Sequence, residues 1–349
     1  MSILQAIILG IVQGLTEFIP ISSTAHLIFA SRAMGLGLSA ENKTAVIAVI
    51  QLGTLVAVLI YFAGDIWNIS LAFIGDHLAL LRGRGADGGG AAPRTTIEGW
   101  RPSRLSQEAW LGWLVIIGSI PVGVVGLLFK KQIEGTFTKN LWVIATMMVV
   151  VALLLGVAEL VGRRERGMEQ LGIGDALAVG FAQVLALIPG SSRSGSTIMG
   201  GLFAGEKRET AARFSFLLSM PAIAASGLLE LKDALKNLPH GSLLPLALAT
   251  LISGIVGYLS IWFLLRFLRT HTTGIFIGYR LIVGIALLVL LSLGRISPLD
   301  EPQHATQVAP AVQHASLMKG DALARGVGTN NIERDSVNLT GPSSQTTRE

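Results

Sequence analysis

The sequence contains no cysteine. That removes disulfides, thiolate metal sites and a cysteine nucleophile, and leaves the redox compartment open. Charge is also scarce: Asp, Glu, Lys and Arg make up 14% of the 349 residues, against 51% hydrophobic ones. With a mean hydropathy of +0.62, this balance excludes an ordinary soluble domain and indicates a polytopic membrane protein. The net charge of +5 does not point to nucleic acid, because the basic residues sit between apolar stretches, where they set membrane orientation. The opening MSILQAIILGIVQG has neither a basic leader region nor a small-residue cleavage site, and is not read as a signal peptide.

What is present is a series of long apolar runs with abundant glycine, 41 residues in all, which suits close helix contact in lipid. Residues 41–63, 109–129, 139–162, 209–231, 242–266 and 275–294 each reach the length of about 20 residues that crosses a bilayer core. Two further runs are interrupted. Residues 3–34 break at Pro20 and Ser-Ser-Thr, and residues 176–205 break at PGSSRSGST. Each half is too short to span, so each run predicts a re-entrant helical hairpin, since irregular backbone at membrane depth survives only inside protein or beside a wet cavity. The breaks share Ile-Pro-x-Ser-Ser, at 19–23 and 188–192. The predicted fold is all-α, with about six transmembrane helices and two re-entrant hairpins. It has two halves, about 1–162 and 163–296, each a hairpin followed by three spans. An odd number of spans makes this an inverted repeat, with the polar site where the hairpin tips meet. Segments 64–108, 163–175, 206–208 and 267–274 carry most of the arginines, which places them in the cytoplasm and both termini outside. A Gly/Arg-rich stretch within 82–108 reads as a flexible loop, and the polar residues 297–349 as a disordered tail.

The chemistry gathers at the two breaks. Gln13 and Glu17 are one helical turn apart and share a face. Pro20 ends that helix, and Ser22, Ser23 and Thr24 are good caps for the next one, with His26 a turn further on. In the second break Gly190 and Gly195 allow turns or close approach. Ser191, Ser192, Ser194 and Thr197 supply hydroxyls, and Arg193 a permanent charge with a fork matched to phosphate oxygens. Helix N-termini complete an anion site. A charged side chain at mid-membrane costs about 2.5–3.5 kcal/mol on insertion scales, so two matched polar breaks argue for function. Glu17 would repel a phosphate, so a proton or a cation must stand between them, and a divalent cation is the simpler solution; a structural ion pair with Arg193 is the alternative. Ser31, Ser119, Ser226 and Ser253 read as helix glue, Gln51 and Gln183 as packing polars, and Glu159 and Glu230 as interfacial.

Through QGLTEFIPISSTAHL (13–27) and PGSSRSGSTI (189–198), the chain resembles the BacA-type undecaprenyl-diphosphatase family over about residues 1–296. The resemblance implies hydrolysis of a C55 polyprenyl diphosphate to the monophosphate, which recycles the lipid carrier of cell-wall synthesis, in a bacterial plasma membrane with the site open to the outer face. It implies catalytic roles for Glu17, Ser23, His26 and Arg193, and substrate binding by Gln13, Ser22, Thr24, Ser191, Ser192, Ser194 and Thr197. It also implies a divalent cation, Mg²⁺ or Ca²⁺, on Glu17. Gln13 is a departure, because many members carry Glu there. Ser23 or a water would attack the terminal phosphorus, with His26 as proton carrier. The expected partners are the polyprenyl diphosphate and membrane lipid, without nucleic acid; a homodimer is left open. The rival reading is a transporter or flippase of a polyprenyl phosphate using the same inverted-repeat site.

Overall fold

The computed structural model describes residues 1–36, 40–82, 105–133, 140–237 and 243–299. The Gly/Arg-rich stretch and nearly all of the tail lie outside these residues, as does the side chain of Glu230. The described chain is all-helical: α1 Ile3–Phe18, α2 Ser23–Ala33, α3 Ala40–Tyr61, α4 Ala63–Leu81, α5 Gln107–Leu128, α6 Lys130–Ile133, α7 Leu141–Val161, α8 Ile173–Val184, α9 Arg193–Phe203, α10 Arg208–Asn237, α11 Leu243–Leu268 and α12 Gly274–Ser292.

Helices α5, α7, α10, α11 and α12 are each long and apolar enough to cross a membrane, and α3 with α4 forms a sixth candidate bent by 71°. The chain is a polytopic membrane protein. Five of the six runs expected as spans are thus single helices. The run 41–63 ends at Tyr61 and turns sharply at Phe62 into α4, a helix where the sequence suggested a cytoplasmic loop. The physical reason is periodicity: Trp67, Leu71, Ile74 and Leu78 recur every three to four residues and form one exposed apolar stripe. The bend is pinned from outside α4, where Arg213 of α10 donates to both carboxylate oxygens of Asp65, at 2.9 and 2.8 Å.

The two interrupted runs become the pairs α1–α2 and α8–α9. Helix α1 has 16 residues, about 24 Å at 1.5 Å per residue, short of the roughly 30 Å hydrocarbon core. Helix α8 is shorter still, at 12 residues. Each leading helix lies along a span of the other half, α1 on α11 and α8 on α5. Glycine makes these approaches possible. A Cβ on Gly14 would sit 2.7 Å from the Ser253 carbonyl oxygen of α11, and one on Gly180 would strike the Gly118 backbone of α5. Helix α3 packs on both α10 and α11, and α7 on α12. The hairpin tips are therefore enclosed by spans drawn from both halves. Of the serines read as glue, Ser119 and Ser226 bond back to carbonyls one turn away, while Ser253 is buried without a partner. Glu159 joins three elements: it takes hydrogen bonds from Arg164, from Arg208 at the start of α10, and from Thr273 before α12.

Behind the second hairpin, in the turn between α9 and α10, Glu206 is fully buried and neither carboxylate oxygen has a partner. It lies against Gly201, where a Cβ would sit 2.6 Å from its carboxylate. Burial, reinforced by the nearby Asp175 carboxylate and only partly offset by Arg166, pushes its pKa up to about 8 from 4.5. The folded protein therefore keeps a proton that the unfolded chain releases. Stability from this group is fully present below pH 4.5 and is lost as pH rises through about 8. Glu206→Gln removes the dependence. The melting temperature of the variant should gain on the wild type progressively from pH 5 to pH 8 and hold a constant lead above it; parallel pH curves in scanning fluorimetry would contradict this.

Candidate functional site

The site begins with two strained turns. Helix α1 ends at Phe18 and α2 starts after Ser22, whose φ is +79°. Helix α9 starts after Ser192, with φ +67°. Left-handed backbone at a residue with a Cβ costs about 1–2 kcal/mol, and such strain clusters at functional sites. The second break is longer by one residue: Ile19 stands three positions before its cap, Ile188 four. The additional turn passes through Gly190, with φ +94°, where a Cβ would collide with the Ile144 backbone.

The tips meet at the carboxylate of Glu17, which is buried. Its Oε2 accepts hydrogen bonds from Gln13 Nε2 at 2.9 Å and Ser23 Oγ at 2.6 Å. Its Oε1 accepts from Arg193 Nη2 at 2.6 Å, so the ion pair considered from sequence is formed. Gln51 Nε2, on α3, stands 3.5 Å from the same oxygen, which places this expected packing residue at the edge of the site. Four helices thus converge on one carboxylate. Beside it lies a cavity of about 10 Å³, room for no more than a water. Glu17, Arg193 and Ser194 form one wall, and Ser215, Phe216 and Ser219 of α10 the other. The far larger cavity between α3 and α11, about 850 Å³, holds none of these polar groups and is lined by side chains such as Leu52, Val56 and Ile255.

The remaining hydroxyls are tied into the turns. Ser192 Oγ accepts from the Gly195 amide and lies 3.2 Å from Ser194 Oγ, which donates to the Ile19 carbonyl of the first break. Ser191 donates to Ile188. Thr197 gives its proton to the Arg193 carbonyl, so Ser215 donates to Thr197. Thr24 is half-buried in the first turn of α2. His26 faces away from Glu17. Its Nδ1–H donates to the Ser22 carbonyl at 2.7 Å, which leaves Nε2 to accept from Tyr279 Oη at 2.6 Å, with the two rings stacked.

The residue that binds both tips is Arg280 of α12. It has no exposed surface. It donates to Pro20 in the first break, to Gly190 and Ser191 in the second, and to Met147 and Met148 of α7, at 2.9–3.4 Å. All five acceptors are backbone carbonyls, so its charge is left for the site. With Arg193 it gives two guanidinium groups against one carboxylate, a net attraction for an anion. Arg280, Tyr279, Ser215 and Ser219 were not among the residues marked from sequence. A lone arginine inside an apolar run was the available signal for Arg280; the others had none.

A family model described as "Bacitracin resistance protein BacA" matches residues 6–286. The chain belongs to the BacA family. Relatives named "Undecaprenyl-diphosphatase" extend the match. The protein from Syntrophobacter fumaroxidans is 53% identical over 291 residues, 82% of this chain and 97% of its own length. That from Chlorobaculum tepidum is 48% identical over 307 residues, 85% of this chain and all of its own. That from Mycolicibacterium vanbaalenii is 45% identical over 300 residues, 85% and 99%. Every residue of the site described above lies inside the segment that the BacA model matches.

Substitutions at two positions test this geometry. Arg280→Met strands the Pro20, Gly190 and Ser191 carbonyls of the two breaks, each costing about 1–3 kcal/mol when left unpaired, and should lower the melting temperature sharply. Arg280→Lys keeps the charge but not the planar fork and should recover only a minor part. Tyr279→Phe should leave stability nearly unchanged while altering the His26 imidazole ¹⁵N shifts, because Nε2 loses its donor; unchanged shifts would refute the pairing.

Proposed function

We propose that this chain hydrolyses undecaprenyl diphosphate to undecaprenyl phosphate and inorganic phosphate. The observation that carries the reading is Glu17 joined to Ser23 and Arg193 across two facing helix N-termini, in a chain that aligns with undecaprenyl-diphosphatases over nearly their whole length. The isoprenoid tail lies in lipid and the diphosphate at the tips. The two halves form an inverted repeat, the membrane is the bacterial plasma membrane, and the site opens to its outer face.

Each residue has a part. Arg193, the fixed charge of Arg280 and the first amides of α2 and α9 hold and neutralise phosphoryl oxygens. The Ser23 hydroxyl already points its proton at Glu17 Oε2. Transfer of that proton to Glu17 leaves Ser23 Oγ to attack the terminal phosphorus. The bridging P–O bond then breaks, undecaprenyl phosphate departs, and water cleaves the phosphoseryl group in a second step. A water held in Ser23's place would do the same in one. His26, turned to Ser22 and Tyr279, is a positioning residue for the turn in the resting site.

A divalent cation, Mg²⁺ or Ca²⁺, fits with restriction. Among the described residues no group of three His, Asp or Glu side chains gathers to hold one. Among the described residues Glu17 is the only carboxylate at the tips, but Gln13 Oε1 beside it is buried without a donor. These two oxygens would hold the ion, with substrate phosphate and water completing the shell, as hard cations accept. Bound there, it would supply neutralising charge to the phosphoryl oxygens.

The test is phosphate release from a C55 polyprenyl diphosphate by purified protein in detergent, with and without Mg²⁺ or Ca²⁺. Wild-type release should be cation-dependent. Glu17→Ala and Arg193→Ala should each lose about 10²–10⁴ in turnover, read on preparations that still show a cooperative melting transition, because removing one partner of this buried ion pair also lowers stability. Lipid translocation without phosphate release would replace hydrolysis by transport.

A further inference from the structure

We infer that Arg193 latches Glu17 in the resting protein, so that Glu17 is free for a divalent cation only after an anionic phosphate has drawn Arg193 away. This rests on the reading of the site as one for a phosphorylated lipid and its cation, and deepens it by giving an order to binding.

The carboxylate has no free side. Gln13 and Ser23 occupy Oε2, and Arg193 takes Oε1 at 2.6 Å with Gln51 beside it. A cation brought to Oε1 would have to share it with a guanidinium, which like-charge repulsion forbids at contact distance. Nor is there space for a phosphate, since the adjoining cavity is about 10 Å³. Something has to move before either ligand is seated.

The structure distinguishes which group that is. Glu17 has a side chain 3% exposed, and Arg193 one that is 19% exposed. Arg280 is held by five carbonyls, so of the two guanidiniums it is the fixed one. Among the described residues Arg193 has a single side-chain partner, Glu17. A phosphate offers Arg193 a bidentate partner of higher charge. When Arg193 turns to it, Oε1 is exposed next to Gln13 Oε1. That amide oxygen is buried and lacks any donor, and its orientation is set because Nε2 of the same amide is spent on Glu17. The two oxygens then belong to side chains one helical turn apart that are already joined by a hydrogen bond. Phosphate and cation are thereby coupled, and by reciprocity each raises the other's affinity by the same factor.

Mn²⁺ serves as the probe, followed by electron paramagnetic resonance on the full-length protein in detergent, with inorganic phosphate as a weakly chelating anion. Wild-type protein should bind Mn²⁺ at least about tenfold more tightly when phosphate is present, a coupling within the usual range. Arg193→Gln should show the tighter binding without phosphate, and Glu17→Gln added to it should abolish the gain. Equal Mn²⁺ affinity of the wild type with and without phosphate overturns the latch, as does an absence of Mn²⁺ binding in both conditions; neither arm depends on a variant that folds. Phosphate release from the lipid diphosphate is measured on the same preparation. Hydrolysis with uncoupled Mn²⁺ binding removes the latch and keeps the enzyme; coupled binding without hydrolysis does the reverse.

Discussion

One buried guanidinium holds the centre of this protein together. Two helical hairpins, one near the start of the chain and one at its middle, end in turns whose carbonyls would otherwise be unpaired inside the membrane, where each would cost several kcal/mol. Arg280 gathers Pro20, Gly190 and Ser191 on one planar group and anchors that group to α7 through Met147 and Met148. The same interaction solves two problems. It satisfies the broken backbone, and it leaves a positive charge without a carboxylate partner at the two tips. The relative position of the tips, and so the 2.6 Å contact between those two side chains, depends on it.

The scaffold around this point is built for close approach. Gly10 and Gly14 let α1 settle on α11, and Gly180 meets Gly118 so that α8 lies on α5. Because each hairpin leans on a span from the other half, neither tip is positioned by its own sequence neighbours alone. In lipid there is little hydrophobic drive between helices, so such contacts rest on packing of small residues and on buried hydrogen bonds. The clusters of Thr197 with Ser215, and of Ser192 with Ser194 and Ile19, supply the second kind.

The sequence showed most clearly what depends on local pattern. Run length and hydropathy marked the spans, and Pro20 and the Ser-rich stretches marked the hairpins, because a proline and a row of hydroxyls interrupt a helix wherever they occur. Glu17, Ser23 and Arg193 stood out for a local reason as well, their charge or polarity in apolar surroundings. What escaped was set by tertiary contact. Helix α4 was hidden by Asp65 and Asp76, which lower its hydropathy, although Asp65 is paired with Arg213 from a helix about 150 residues away in the chain. Gln51 looked like packing until α3 brought it beside Glu17. His26 was read as the proton carrier from its spacing to Ser22 and Ser23; its resting partner Tyr279, at a sequence separation of 253, is one that no spacing rule suggests. Arg280 was visible as a lone charge in an apolar run, yet its role as a collector of carbonyls exists only once the two breaks are folded against it.

The additional residue in the second break has a consequence for how two similar tips come to differ. With Ser22 and Ser192 as the matched caps, the first helical position of α2 is Ser23 and that of α9 is Arg193. Both side chains leave from the same point of a common backbone motif and reach the same carboxylate, Ser23 on one oxygen and Arg193 on the other. The repeat thus uses one geometry twice and divides labour at a single position, giving one tip the hydroxyl and the other the countercharge. A strictly equal pair would have placed two hydroxyls or two cations there. Inserting Gly190 shifts the second tip by one register and breaks the equivalence without disturbing either helix start.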